Sequence, residues 1–447
     1  MIKRLFRKVF GKSRTAKAAG KAHVIPLREH RVARDGISDS AQRVTDGLQA
    51  AGFQAYVVGG AVRDLLLGRR PKDFDVATDA TPEQVKRVFR RARIIGRRFK
   101  LVHVMFGSET IEVSTFRRAM EVDEAETDAH GRILRDNEFG DMEQDAARRD
   151  FTANALFYDP ATQEIIDYHH GYADIRAKVL RMIGDPEVRF REDPVRMLRA
   201  VRLAAKLGMK IDPATAAPIA RLKELLRNVP EARLFDEMLK LLLSGHALAC
   251  IKKLRFKGLH HGLLPMLDVI LEQPMGEKFV MLALQNTDDR IAADKPASPA
   301  FLFAALLWHE VLATWKTRQA AGERPVAALH AAMDDVLERQ RAQLAIPRRY
   351  DTVMKELWLL QPRFEQRGGQ RPFRLLALPR FRAAYDFLLL RCASGEVDAA
   401  LGDWWTEFQE ADEARRAEML QPDSGAPKKR RRRKKPSAAV QAELPID

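Results

Sequence analysis

Two aspartates, Asp73 and Asp75, flank a single phenylalanine in the segment KDFDVAT. On a β-strand, residues two apart point to the same face, so the two carboxylates would project together. Paired carboxylates suit a hard divalent cation such as Mg²⁺, which takes phosphate oxygens and water as its remaining ligands. The pair by itself could equally be a solvated strand end, because short motifs recur by chance.

A glycine pair, Gly59 and Gly60, follows the apolar segment AYVV and precedes the aspartates. Glycines let a ligand approach the backbone closely, and the free N–H groups at the start of the next helix attract anions. Arg63 falls in the first turn of that helix, where the helix dipole favours a cation only beside an anion. Its alternative role is an ion pair with Asp64. A phosphate cradle beside a metal site is the arrangement that nucleotidyl transfer needs.

The segment RRDFTAN carries Arg148, Asp150 and Asn154. Its two adjacent arginines could clamp a triphosphate, because guanidinium matches phosphate geometry, or they could form a helix-start ion-pair network. Glu112 alternates with apolar neighbours in TIEVSTF, so it could face outward as a further acid or be an ordinary exposed strand residue.

A third cluster lies in REDPVRMLRAVRLAAKLG, where we expect a helix that begins at Pro194. At about 100° per residue, Asp193, Arg196 and Arg199 share one stripe, while apolar residues occupy the opposite face. A carboxylate can accept from an exocyclic amine while a guanidinium donates to the adjacent ring nitrogen. Adenine and cytosine both present that edge, so these residue types predict an A or C substrate.

The elements that position these residues follow from the patterns around them. A helix from Ser38 to Ala51, a short buried strand, the glycine turn, a helix capped by Thr81 and two strands around Gly107 predict an α/β head. Its sheet should be small and mixed or antiparallel. Beyond about Asp185, amphipathic helical patterns dominate, which predicts a long all-helical neck and body.

The predicted organisation has five parts. They are a basic disordered leader (1–37), a catalytic nucleotidyltransferase head (38–185), a helical neck that recognises the base (186–265), a helical RNA-binding body (266–420) and a basic disordered tail (421–447). The acidic segment 121–137 is predicted to be a mobile loop.

Charge and composition point to a polyanionic partner. The net charge is +16, and the tail holds the run KKRRRRKK. We expect this run to bind RNA, with an anionic membrane surface or mere solubility as alternatives. Its residues are Lys428, Lys429, Arg430, Arg431, Arg432, Arg433, Lys434 and Lys435.

Two distant cysteines, Cys250 and Cys392, indicate neither a disulfide framework nor a zinc site, which suits the cytoplasm. The sequence has no apolar run of about 18 residues, the length that would predict a membrane span.

Three segments, GGAVRDLLLGRRPKDFDVAT, RRDFTANAL and EDPVRMLRAVRLAAKLGM, resemble the bacterial class II nucleotidyltransferases, a family of CCA-adding enzymes and poly(A) polymerases. GRRFKLVHVMFG, IEVSTFR, PAFLFAALLW and the basic tail resemble the poly(A) polymerase branch. The likeness extends from about Ser38 over nearly all of the chain.

This resemblance implies template-independent addition of AMP from ATP to RNA 3′ ends, with Mg²⁺ as the cofactor and Mn²⁺ as its substitute. It implies that Asp73 and Asp75 bind metal, that Asp150 is a third essential acid, and that Gly59, Gly60 and Arg63 hold the triphosphate. Asp193 and Arg196 would then contact the base.

The expected partners are ATP and the 3′ ends of mRNA, small RNA and decay intermediates, with RNA-decay proteins beside them and the chain itself a monomer. One rival hypothesis is a CCA-adding enzyme, against which the basic tail and the lack of a C-terminal His-Asp constellation argue. Another is a catalytically silent RNA-binding module, which has no physical reason to keep all of these motifs intact.

Overall fold

A computed structural model of the chain describes residues 22–96, 100–118, 139–259, 274–344 and 346–422. The predicted acidic loop at 121–137 and the basic run at 428–435 lie outside these residues. Within them, an α/β head is followed by helices, as the sequence predicts.

The strands of the head form one mixed sheet. Its eight described strands are β1 (His23–Ile25), β2 (Ala55–Val58), β3 (Asp75–Thr78), β4 (Ala92–Ile95), β5 (Leu101–Phe106), β6 (Glu109–Thr115), β7 (Leu156–Asp159) and β8 (Glu164–Asp167). They are ordered β1-β8-β7-β2-β3-β6-β5-β4, and β3–β6 is the parallel pair among otherwise antiparallel neighbours. The mixed sheet is confirmed, although it is larger than the small sheet expected.

The helices of the head are α1 (Leu27–His30), α2 (Asp39–Ala50), α3 (Gly60–Leu66), α4 (Pro82–Val88), α5 (Met142–Arg148) and α6 (Gly171–Arg176). Their starts are set by local chemistry. The Ser38 hydroxyl accepts from the Ala41 N–H at the start of α2, and Thr81 forms a capping box with Gln84 at the start of α4.

The prediction of a disordered leader as far as residue 37 is wrong for residues 22–37. β1 pairs antiparallel with β8, and Ile25 is fully buried. The His30 ring bonds the backbone carbonyl of Gln163. This segment has no strong local pattern, and its order comes from a partner strand more than a hundred residues away.

A helical neck and body follow the head. Their helices are α7 (Pro186–Glu192), α8 (Val195–Leu207), α9 (Pro213–Ala216), α10 (Ile219–Leu222), α11 (Glu231–Leu242), α12 (Ala247–Phe256), α13 (Pro274–Ala292), α14 (Pro299–Ala320), α15 (Pro325–Leu344), α16 (Asp351–Leu360), α17 (Arg371–Leu376), α18 (Phe381–Ser394), α19 (Ala399–Glu410) and α20 (Glu413–Met419). None of these described helices is long and apolar enough to cross a bilayer.

Head and neck are joined by a short parallel sheet. β9 (Val179–Leu180), at the end of the head, pairs with β10 (Lys210–Ile211), which directly follows α8. In the body, three fully buried tryptophans, Trp308, Trp358 and Trp405, belong to a hydrophobic core that is continuous with that of the head and neck. α8 is therefore held against the head at its C-terminal end, and this contact positions the site.

Candidate active site

A cleft of about 570 Å³ lies where the head meets the neck. Its walls carry most of the residues that the sequence singles out, namely Gly59, Gly60, Arg63, Asp75, Asp150, Asn154, Asp193, Arg196 and Arg199. Every residue that lines it falls between Gly59 and Lys240, so the described part of the body contributes nothing to its walls.

Asp75 is the first residue of β3, and it stands beside Glu112 in the register of the parallel pair β3–β6. Asp73 lies before the strand rather than on it, and it is exposed outside the cleft lining. The carboxylate of Asp75 keeps access to solvent, but burial by the surrounding protein raises its pKa to about 6. The negative charges of Glu112 and Asp73 add to that rise, and Arg149 opposes it.

Such a concentration of carboxylates fits a divalent cation, because the cation would relieve the repulsion that Asp75 experiences. In the part of the chain that the structure describes, no group of three or more histidine, cysteine, aspartate or glutamate side chains is arranged so that it could hold a metal ion by itself. Magnesium at nucleotide sites takes few carboxylates and completes its shell with phosphate oxygens and water. Asp75, with Asp73 and Glu112 near it, matches that kind of open site.

The glycine turn has a backbone that other residues disfavour. Gly59 caps α3 with φ 73° and ψ −126°, and a Cβ atom there would lie 3.4 Å from Nη1 of Arg149. The Arg149 guanidinium therefore lies over the turn, with its carbon 5.3 Å from the centre of the Phe157 ring. Bare backbone at a helix start with a cation above it is suited to a phosphate.

Arg63 lines the cleft, but its guanidinium is largely committed to protein partners. Nε and Nη2 donate to Oδ1 of Asp64, and Nη1 donates to Oδ1 of Asn154 at 2.6 Å. Its side chain is 7% exposed. The ion pair with Asp64, which the sequence left open as an alternative, is thus present, and direct contact with a triphosphate stays a prediction.

The two adjacent arginines point to different environments. Both bond the fully buried carboxylate of Asp145, which holds the end of α5. Arg149 lines the cleft, whereas Arg148 lies outside the residues that line it. The geometry favours Arg149 over the predicted Arg148 as a phosphate contact, because a helix end turns consecutive side chains to different sides.

Asp150 links the head to the neck. Its Oδ2 accepts from Arg199 at 2.6 Å, and its Oδ1 accepts from the backbone N–H of Phe151 and from Asn154. Burial opposes ionisation of this carboxyl, but Arg199 and these hydrogen bonds outweigh it and lower the pKa of Asp150. Both of its oxygens are used, so its role as a third catalytic acid stays a prediction.

The residues expected to read the base share the cleft face of α8 and its preceding turn. Asp193 accepts from Nη2 of Arg233 at 2.9 Å. Arg196 donates through Nη1 to Glu192 and to the Arg189 carbonyl. The predicted stripe is therefore formed, and its members are oriented by neighbours on α7 and α11.

Sequence reasoning missed the continuation of this stripe. Arg202 and Lys206 follow Arg199 at helical spacing, and both line the cleft. Arg202 pairs with the buried Glu237 of α11 at 2.6 Å. Their spacing of three and four residues along α8 could have predicted that they share a face with Arg199. The same spacing recurs on α11, which contributes the further cleft residues Arg233, Asp236, Glu237 and Lys240.

The chain resembles known proteins over most of its length. Three family models match this chain: the poly A polymerase head domain at 55–181, the probable RNA and SrmB-binding site of polymerase A at 208–271, and the polymerase A arginine-rich C-terminus at 321–438. The chain is 49% identical to poly(A) polymerase I of Escherichia coli O6:H1, over 86% of this chain and 85% of that protein.

The chain belongs to the poly(A) polymerase I family. It is also 42% identical to poly(A) polymerase I of Haemophilus influenzae, over 89% of this chain and 90% of that protein. The predicted nucleotidyltransferase of the poly(A) polymerase branch is confirmed by this membership.

CCA-adding enzymes resemble this poly(A) polymerase I family member in part of its sequence and in its fold. The CCA-adding enzyme of Bacillus subtilis is 42% identical over 43% of this chain and 47% of that protein. The crystal structure of the Bacillus stearothermophilus CCA-adding enzyme in complex with CTP superposes with a TM-score of 0.57 at 26% identity, over 83% of this chain and 82% of that one. The predicted head and helical body are confirmed by this likeness.

Proposed function

We propose that this enzyme transfers AMP from ATP to the 3′ hydroxyl of RNA without a template, with Mg²⁺ as its metal and Mn²⁺ as a substitute. One observation carries the proposal. A single cleft combines a bare glycine turn under a guanidinium, a carboxylate in a negatively charged surround, and a helix face with base-reading residue types. These are the separate requirements of nucleotidyl transfer.

The proposed roles follow from the contacts. Gly59, Gly60 and Arg149 receive the triphosphate, and Asp73 and Asp75 bind the metal. When bound, the metal supplies positive charge for the attacking hydroxyl and the departing pyrophosphate. Asp75 must be ionised for this task, and the terminal hydroxyl of the primer must reach the same side of β3.

The remaining residues orient these groups and the base. Asn154 holds Arg63 and Asp150, which keeps the helix behind the glycine turn in place. Asp193 and Arg196 read the amine-plus-acceptor edge of adenine, and Arg199 anchors their helix to Asp150.

The wider assignments rest on this function. The head would be catalytic, the neck would recognise the base, and the body with the basic tail would hold RNA such as mRNA, small RNA and decay intermediates. A monomer in the cytoplasm that acts in mRNA processing, with RNA-decay proteins as neighbours, fits such substrates.

A nucleotide-selection assay tests the proposal. A short unstructured RNA is incubated with the full chain, magnesium and each of the four nucleoside triphosphates in turn. We expect long products with ATP alone. Asp75→Ala is the matched control, and it should abolish extension while RNA affinity stays close to that of the wild-type protein, because the primer is held elsewhere.

A CCA-adding enzyme is the second candidate, favoured by the partial match to CCA-adding enzymes and by the fact that adenine and cytosine share the edge that Asp193 and Arg196 would read. Addition of a few C and A residues restricted to tRNA would support it and overturn the polymerase proposal. Tight RNA binding without incorporation of any nucleotide would overturn both enzymes in favour of a binding module.

A further inference from the structure

Four basic residues from three separate elements form a group around Lys206, which lines the cleft. Arg69 and Lys72 belong to the segment between α3 and β3, Lys206 lies in the last turn of α8, and His246 caps α12. Nη1 of Arg69 donates to the backbone carbonyl of Lys206 at 2.8 Å. The positive charge of Lys72 acts on Lys206, and those of Arg69 and Lys206 act on His246. We call these four residues the basic wall.

Three acids near the basic wall are already engaged by other partners. Asp64 is bonded by Arg63, and Glu237 is bonded by Arg202. Asp288, which is close to His246, accepts the N–H groups at the start of α12. Within the described residues, neither Lys72 nor Lys206 has an ion pair with an acid. Burial lowers the pKa of His246, so Arg69, Lys72 and Lys206 carry the positive charge of the wall, which Asp64 and the neighbouring Asp73 compensate only in part.

Lys206 experiences this imbalance directly. Burial lowers the pKa of its amine, and the charges of Arg63, Arg202 and Lys72 lower it further, against the opposing effect of Asp64. An anion beside the ammonium would remove that penalty. A phosphate group is the anion that such a wall suits, because several point charges can surround its oxygens.

We propose that the basic wall binds backbone phosphates of the RNA primer immediately before its 3′ end, and so holds the terminal hydroxyl at Asp75. This inference rests on the proposed function. Lys72 directly precedes Asp73, and Lys206 lines the cleft, so a phosphate held between them lies next to the reacting end.

The direction in which the basic wall extends favours the primer over the triphosphate of ATP. His246 continues the wall from the cleft into the region that matches the RNA-binding model of the family. The glycine turn and Arg149, in contrast, lie on the head side of the cleft, where they already offer an anion site. One phosphate site for the primer and one for ATP would account for both groups of basic residues.

The test compares single variants Lys72→Ala and Lys206→Met in the full chain. Lys206→Met keeps an unbranched stem in the cleft wall, and the bond from Arg69 goes to a backbone atom that the substitution leaves in place. Binding of a fluorescent single-stranded RNA is measured by anisotropy against salt, and KM is measured separately for RNA and for ATP. Lys86→Ala is the control, since Lys86 is an exposed lysine of the same head that does not line the cleft.

We expect each wall variant to raise Kd and KM for RNA severalfold, to leave KM for ATP unchanged, and to reduce the salt slope of RNA binding by about 0.7 for each phosphate that the protein no longer neutralises. Lys206→Arg should restore most of the affinity. A rise in KM for ATP with an unchanged RNA slope would overturn the proposal in favour of a triphosphate contact, and an effect no larger than that of Lys86→Ala would also overturn it. The binding measurement needs no catalysis, so it is independent of which nucleotide is incorporated.

Discussion

Asp75 must carry a negative charge to hold a metal, yet its surroundings resist that charge. Burial of the carboxyl, with the nearby charges of Glu112 and Asp73, raises its pKa to about 6, well above that of an ordinary aspartate. A divalent cation at Asp75, as proposed above, would remove this cost. The charge of Asp75 would therefore lower the stability of the metal-free protein and yet be needed for activity with the metal.

At the residue scale, Asp75→Asn should abolish extension and yet stabilise the metal-free protein at a pH of about 7. The raised pKa means that the folded protein holds the proton more tightly than the unfolded chain, so stability falls as the pH rises from the ordinary aspartate pKa of about 4 to about 6. The gain from Asn should be full above about pH 6 and should shrink as the pH falls toward about 4, where the carboxyl is protonated in the folded and the unfolded protein alike. Thermal unfolding of both proteins across this range measures it.

The control for that prediction is Glu83→Gln, which removes an exposed acid of the same head. The stability change from Glu83→Gln should not show this rise between about pH 4 and pH 6, because hydrogen bonds lower the pKa of Glu83 and its charge therefore stabilises the fold. Equal unfolding temperatures for Asp75→Asn and wild type throughout would contradict the prediction.

At the scale of elements, α8 is the central component of the site. One face of this helix packs apolar side chains into the core, and the other carries the arginines that line the cleft. Arg199 ties the helix to Asp150 of the head, while Arg202 ties it to Glu237 of α11. Because both ties are charge-assisted hydrogen bonds to acids that are little exposed, they add directional contacts that apolar packing lacks.

Asp150→Ala should destabilise the protein by about 3 kcal/mol, because Arg199 would be left without its partner. This value is near the low end of the range for breaking a buried ion pair. Arg199 is 34% and Asp150 11% exposed, which justifies the low end. The double variant Asp150→Ala with Arg199→Leu should recover much of that stability and none of the activity. Urea unfolding and the extension assay measure the two effects.

Asp46→Ala offers a matched comparison, because it breaks the exposed pair Arg34–Asp46 of the same head and should cost less than about 1 kcal/mol. The pKa of Asp150 is lowered, so its ion pair with Arg199 stabilises the fold at any pH above the ordinary carboxylate pKa. That stabilisation is lost as the pH falls through the lowered pKa of Asp150. A cost for Asp150→Ala no greater than that for Asp46→Ala would contradict a tie between head and neck.

At the scale of the whole molecule, the catalytic cleft and the densest run of basic residues are separated along the chain. The cleft uses residues between Gly59 and Lys240, whereas the run KKRRRRKK begins at Lys428 and lies outside the described residues. The arginine-rich C-terminus of the family includes this run. A polyanionic primer could contact both regions at once, which would raise its local concentration at the cleft.

Replacing residues 428–435 by a glycine-serine segment of equal length should weaken RNA binding and lower its salt slope by about 0.7 for each phosphate that the run neutralises. KM for ATP should not change, because the cleft is intact. Anisotropy with the same RNA at several salt concentrations measures the slope, and an unchanged slope would show that the run does not touch RNA.

Much of the site was determined by short-range pattern. The glycine pair, the two aspartates and the stripe of Asp193, Arg196 and Arg199 could be read from the sequence because periodicity within one element decides which side chains share a face. The glycine turn and the stripe meet in one cleft in the structure, together with Asp75. The family resemblance rests on the same local segments, and for that reason it was visible without any tertiary contact.

Only the tertiary structure decided which partner each of these faces meets. The register of β3 with β6 brings Glu112 beside Asp75, and the docking of α8 on the head commits Asp150 to Arg199. The order of β1 and the assembly of the basic wall likewise depend on segments far apart in the chain. Periodicity sets the face of an element, but strand register and helix docking are fixed by packing and charge pairing between distant elements, and no local pattern encodes them.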